Sequence, residues 1–208
     1  SSSFFAIPRM NISCEDDKGR YLEFKISWVG RRDARYMLDY GVSGKWSMML
    51  DYNKIPHNFG NDGLILFAET SPGRWQISDS IQRSLQTTLT QQFATDRTRI
   101  NYAYLDGLIT PYLNAASTID LGLQRDRTRA VFNVGQMGRL AWKLDYSHEN
   151  RTGNRPYGAS FGFGNAIELP EPIDYATDGA TLSGELSGKH GGLTFGYRYS
   201  AFKNDVDA

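Results

Sequence analysis

A two-residue alternation of apolar and polar side chains recurs along this chain and limits what it can fold into. In residues 21–29, Leu22, Phe24, Ile26 and Trp28 share one parity, and Glu23, Lys25 and Ser27 the other. Successive side chains of a β-strand point to opposite faces, so this pattern predicts a strand with one apolar face. Residues 35–42 repeat it with Tyr36, Leu38, Tyr40 and Val42 against Arg35, Met37, Asp39 and Gly41. After a Ser43-Gly44 turn, Trp46, Met48, Leu50 and Tyr52 oppose Lys45, Ser47, Met49 and Asp51, which is the signature of a hairpin.

The grammar returns at 99–104, 118–124, 129–134, 140–146, 182–186 and 193–199, giving nine candidate strands. A weak internal repeat supports the reading. An offset of 94 residues superposes Leu50-Asp51-Tyr52 on Leu144-Asp145-Tyr146, Arg35 on Arg129, Gly41 on Gly135 and Gly44 on Gly138. Short turns are expected at 43–44, 137–139 and 188–192, with a longer one at 106–117. Long segments, 53–97 and 149–179, and tight turns at 30–34 and 125–127 fall at the opposite strand ends. One rim of short turns and one of long loops is the layout of an antiparallel up-and-down transmembrane β-barrel.

Hydropathy gives no sign of this fold. The longest apolar run, Leu64–Ala68, is far below the ~20 residues of a spanning helix, and mean hydropathy is -0.48. Alternating barrel strands escape such tests. A soluble β-sandwich also alternates. Against it stand full charges at mid-strand (Lys25, Asp39, Lys143, Glu185, Arg198) and an apolar face that ends repeatedly in Trp28, Tyr36, Trp46, Tyr52, Tyr146 and Tyr199. Tyr and Trp near strand ends suit the interfacial girdles of a barrel.

Residues 78–93 break the alternation. Ile81, Leu85, Leu89 and Phe93 recur every fourth position behind Ser78 or Asp79, which predicts a short amphipathic helix inside the first long loop. In the second long loop, Glu168, Glu171, Asp174 and Asp178 make an acidic stretch, suited to a solvated loop, a cation or a basic partner.

Several functions are excluded. Twenty-three basic against 23 acidic residues leave no surplus for phosphates, so no nucleic-acid partner is expected. The single cysteine, Cys14, rules out a disulfide framework and any CxxCH haem-attachment site, and its acidic neighbours disfavour a reactive thiolate. Gly162-Phe163-Gly164 lacks the third glycine of a dinucleotide fingerprint, and His57, His148 and His190 lack metal-ligand spacing. No catalytic, cofactor or metal residues are assigned, and no enzyme is expected.

Two segments carry a family resemblance. The first is Tyr52-Asn53-Lys54-Ile55-Pro56-His57-Asn58-Phe59-Gly60-Asn61-Asp62. The second runs from Gly158 to Tyr175 and includes Gly162, Gly164, Asn165, Glu168, Leu169, Pro170, Glu171, Pro172, Asp174 and Tyr175. Both resemble signature segments of the decahaem-associated outer-membrane porins, the MtrB/PioB family. Ile77-Ser78-Asp79-Ser80-Ile81-Gln82 adds a weaker match, and the resemblance covers about residues 20–202.

The resemblance implies a large barrel of about 26 strands in the bacterial outer membrane. Such a barrel sheathes a multihaem c-type cytochrome, often with a second, extracellular cytochrome at its outer mouth. The haem is then expected on the partner chain, and the barrel contacts outer-membrane lipid outside and the cytochrome within. Residues 1–19 are expected as an N-terminal extension and 20–208 as part of one barrel, about a third of the whole. Candidate partner-facing residues are Arg35, Asp39, Lys143, Asp145 and Arg198 on the charged face, with Glu168, Glu171 and Asp174 in the acidic loop. A diffusion porin or a soluble binding module are the alternatives.

Overall fold

The structure, a computed structural model, describes residues 8–135, 139–160 and 166–206. Ten strands and two α-helices follow in the order β1 (Arg9–Glu15), β2 (Arg20–Ser27), β3 (Arg35–Val42), β4 (Trp46–Ile65), β5 (Phe67–Ser71), β6 (Arg74–Ile77), α1 (Asp79–Thr95), α2 (Tyr102–Asn114), β7 (Ser117–Val134), β8 (Leu140–Ser160), β9 (Ala166–Gly188) and β10 (Gly191–Asn204). A short 3-10 turn, Arg97–Arg99, separates the helices. Eight strands form one sheet in the order β1-β2-β3-β4-β7-β8-β9-β10, while β5 and β6 pair apart from it. Each strand lies beside its predecessor, the meander expected of an up-and-down barrel, but β1 and β10 are not joined and the sheet is open.

The chain divides into two compact units. The first comprises the chain up to His57, Leu123–Gly153 and Ile173–Asp205. Here the register places like with like. Leu22, Phe24 and Ile26 on β2 oppose Tyr40, Leu38 and Tyr36 on β3, which oppose Met48, Leu50 and Tyr52 on β4. Leu186 and Leu182 on β9 face Leu193 and Tyr197 on β10. Phe195 crosses to Trp142 edge-on, with centroids 5.2 Å apart, over Gly184, where any Cβ would overlap the ring. The apolar face is thus continuous across strands distant in sequence, as the alternation requires.

That face has no second layer upon it. Among the described residues the buried apolar side chains are Ile26, Ala34, Val131 and Ile173, and Leu182, Leu186 and Leu193 are 45%, 46% and 59% exposed. A sandwich would bury one face of each strand against another sheet. A lipid-facing wall leaves it bare, which accounts for large apolar side chains on the outside.

The second unit, Asn58–Gly122 with Asn154–Pro172, holds the continuations of β4, β7, β8 and β9, the β5–β6 hairpin and both helices. The helix expected over 78–93 is α1, with Ser78 at its N-cap position. Neither helix buries a residue, and no helix among the described residues is long and apolar enough to cross a membrane.

Several elements differ from expectation. Residues 99–104, read as a strand, and 106–117, read as a turn, belong largely to the 3-10 turn and α2. Asn101 caps α2 by accepting from Tyr104 N at 3.0 Å, and a three-residue alternation is too short to outweigh that cap. Residues 125–127, read as a tight turn, lie inside β7. Arg125, Arg127 and Arg129 are themselves a period-two series, hidden because Asp126 and Thr128 make the opposite face polar too. Residues 9–15, expected in an extension, form β1, with Met10, Ile12 and Cys14 opposite Ile26, Phe24 and Leu22 on the apolar face. The main sheet therefore has eight strands rather than nine.

The long segments are largely strand. β4, β7, β8 and β9 contain 20, 18, 21 and 23 residues, about twice what a crossing needs. By strand direction the 66–116 connection leaves the sheet at the same edge as the 28–34 turn. The short turns at 16–19, 43–45 and 189–190 share the other, so the two-rim layout stands. The turn expected at 137–139 overlaps residues outside those described.

Candidate functional site

The charged face of the first unit is organised by cross-strand pairs. Arg35 on β3 forms an ion pair with Asp51 on β4, its Nε donating to Oδ1 at 3.2 Å. Arg129 on β7 does the same to Asp145 on β8 at 2.9 Å. The two pairs are equivalent under the 94-residue offset, and Asp51 also lies within electrostatic reach of Arg129. Four adjacent strands therefore carry a belt of alternating charge. Lys143 approaches Asp145 to 3.9 Å. Farther along β7 and β8, Arg125 pairs with Glu149, which also accepts from Arg151 Nε at 2.8 Å.

The other candidates are scattered. Asp39 accepts from the Tyr21 hydroxyl at 3.1 Å. Arg198 stands opposite Thr181, with no polar partner among the described residues. Glu171 accepts from Arg155 Nε at 2.5 Å. Glu168 and Asp174 are exposed and of the opposite strand parity, so the acidic stretch does not converge on one point. Among the described residues no group of His, Cys, Asp and Glu is placed to hold a metal.

A second pattern, which the alternation did not reveal, marks the edge of the apolar band. Tyr52 donates to Asp126 at 3.1 Å, and its 94-residue counterpart Tyr146 donates to Asp178 at 2.7 Å. His148 Nδ1 lies 2.9 Å from the same Asp178 oxygen. Each tyrosine keeps its ring on the apolar face and its hydroxyl on a carboxylate, which is the chemistry of a membrane–water boundary. At ~3.4 Å per residue, Trp46 to Tyr52 spans about 20 Å, the scale of the ~25 Å apolar band of outer-membrane barrels.

The motif segments have structural roles. Ile55, Pro56, His57 and Asn58 lie in β4, and Asn58 donates to Asn61 at 2.9 Å. Gly162, Gly164 and Asn165 lie outside the described residues. Pro172 packs on the β5–β6 turn at Gly73, whose φ of 73° is the left-handed conformation glycine accepts most readily. Pro170 is buried, Leu169 half-buried, and the Tyr175 ring meets Phe202 edge-on at 5.2 Å.

The proline spacing follows from backbone direction. Ser187 N donates to Arg139 O, just before β8, while Asp174 O accepts from Asp205 N on the opposite side. Even-numbered residues of β9 thus turn their backbone groups away from β8. β10 pairs with β9 from Gly188 to Tyr175, and Asp205 N extends the contact to Asp174 O. Pro170 and Pro172 also fall at even positions, so the N–H groups that proline lacks are those on the edge facing away from β8.

Two carboxylates outside the strand wall are held below the usual aspartate range. For Asp16, in the β1–β2 turn, the causes are hydrogen bonds from the Arg20 backbone N–H and side chain. For Asp96, before the 3-10 turn, they are the Thr98 hydroxyl and backbone N–H.

An antiparallel meander with one bare apolar face, one charge-paired face and tyrosines at the band edge defines an outer-membrane β-barrel wall. The chain belongs to the MtrB/PioB family of outer membrane β-barrel porins, which it matches over residues 1–208. It is 22% identical over 199 residues to the outer membrane protein MtrB of Shewanella baltica (strain OS185). That match takes in 95% of this chain and 26% of the relative, so the chain spans about a quarter of the relative's length. The protein is a porin-type structural component of the outer membrane.

Proposed function

We propose that this wall encloses a multihaem c-type cytochrome and so allows electrons to cross the outer membrane, with no haem of its own. The observation that carries the reading is the charged face. Its arginines and carboxylates are largely paired within the wall, which makes a wettable lining without drawing lipid inward. Covalent c-type haem needs two cysteines and a histidine, whereas this sequence has Cys14 alone, and Cys14 lies on the apolar face opposite Leu22. On this reading the redox groups belong to the enclosed chain, and an extracellular cytochrome at the long-loop rim completes the path. The wall's part is to exclude lipid and to hold its occupant.

The test is purification of the intact barrel from outer membranes, followed by haem staining. Co-purification of a haem-staining protein at fixed stoichiometry is expected. A complete, haem-free barrel that passes sugars or ions would overturn the reading in favour of a diffusion porin.

A further inference from the structure

Charge is unevenly distributed over the lumenal face. On β7 the side chains of Arg125, Arg127 and Arg129 share the charged parity, and on β8 those of Lys143 and Arg151 do. Only Asp145 and Glu149 oppose them on these two strands within the first unit, leaving a surplus of three positive charges. On β2, β3 and β4 the balance reverses, with Glu23, Asp39 and Asp51 against Lys25 and Arg35. The surplus is local to one hairpin in a chain whose formal charge is zero.

Within the strip, Arg127 differs from its neighbours. Arg125 is paired with Glu149 and Arg129 with Asp145. These pairs run diagonally, as in the equivalent β3–β4 hairpin where Arg35 faces Asn53. Under the 94-residue offset Arg127 therefore faces Glu149, which Arg125 and Arg151 already hold, and has Ser147 on its diagonal. Arg127 feels Asp145 electrostatically without forming an ion pair or hydrogen bond among the described residues. A half-buried guanidinium between two satisfied ones keeps its donor fork free in fixed geometry, suited to a carboxylate from outside the wall. The paired neighbours hold the strands in register and keep the strip cationic.

We propose that the lumenal face of β7 and β8, centred on Arg127, is the contact that holds the enclosed protein, and that it binds a carboxylate-bearing surface of that protein. This rests on the function proposed above. The carboxylates are acidic side chains of that surface, the chemistry a planar cationic fork recognises in two-point fashion. Such a contact weakens with salt, and truncating one partner lets the complex dissociate faster.

The intact barrel carrying Arg127→Glu or Arg127→Gln is compared with wild type, each expressed with its native partner. The haem-staining protein retained per assembled barrel is measured in detergent at increasing salt. Arg127→Glu is expected to lower retention roughly tenfold, with Arg127→Gln between it and wild type. Lys25→Glu, the same reversal on β2 outside the strip, is expected to retain the partner fully. Wild-type retention in Arg127→Glu, or equal loss in Lys25→Glu, would overturn the proposal while leaving the sheath function standing. So would unchanged retention with altered anion selectivity in the emptied barrel, which would assign the strip to diffusing anions. A wild-type barrel without any haem-staining partner would overturn the sheath function and this proposal together.

Discussion

Arg129 on β7 and Asp145 on β8 form a two-point pair, Nε to Oδ1 at 2.9 Å and Nη2 to Oδ2 at 2.5 Å. Their side chains are 38% and 21% exposed, so water screens the pair and its worth is modest, on the order of 1 kcal/mol. A double-mutant cycle with Arg129→Ala and Asp145→Ala, read by urea unfolding of the intact barrel in vesicles, is expected to give a coupling of that size. Asp145→Ala alone is expected to destabilise more than the double mutant, because Arg129 then lacks its partner. Strict additivity would show that the pair contributes nothing.

Gly184 provides the space into which the Phe195 ring lies against Trp142. Gly184→Val is expected to displace that ring and slow barrel assembly, with a loss of about 1–3 kcal/mol. Adding Phe195→Ala to Gly184→Val is expected to restore part of the assembly rate, measured by the heat-dependent gel shift of folded barrels. No recovery would place the defect in the backbone rather than the ring.

Asp96 holds the start of the 3-10 turn through Thr98. Its acidity is raised by folding, so the contact stabilises fully above the ordinary aspartate range and is lost as pH falls through the lower folded value. Amide exchange at Thr98, corrected for intrinsic pH dependence, is expected to accelerate only below that range. In Asp96→Ala it is expected to be fast at every pH. A protection step near neutral pH would contradict the assignment.

Pro170 and Pro172 withhold N–H groups from the edge of β9 that faces away from β8. Replacing both with valine restores two donors to that edge, which favours pairing with another chain wherever the edge is exposed. The double variant is expected to form more high-mass species on native gels of the detergent-solubilised barrel, and either single variant fewer. Indistinguishable profiles would mean that the edge is covered by another segment of the intact barrel.

Much of the wall is legible in the sequence because one physical rule, alternation, governs it. The β2–β3–β4 meander follows from Leu22, Leu38 and Leu50 sharing a face, and Ser43-Gly44 marks its turn. Legibility fails where alternation has no apolar partner to display. Arg125, Arg127 and Arg129 lie in mid-strand but resemble a polar turn. Beyond Tyr52 the apolar side chains Ile55 and Phe59 change parity among polar residues, so the alternation breaks while the strand continues. The charged pairs are legible only by half. The repeat aligns Arg35 with Arg129 and Asp51 with Asp145, but the 16-residue spacing that joins each pair is a diagonal across the strands, since Arg35 faces Asn53 in the register. The Tyr52–Asp126 contact bridges 74 residues and leaves no local trace.

The matched Arg35–Asp51 and Arg129–Asp145 pairs bear on how such a wall can grow. Each hairpin brings its own counter-charge, so duplicating one adds circumference in steps of two strands and leaves the lining neutral. A barrel built this way can widen around a bulkier occupant by copying a unit, with no compensating change elsewhere in the ring. The departures from neutrality, as on β7 and β8, are then where later selection has left its mark on an otherwise modular wall.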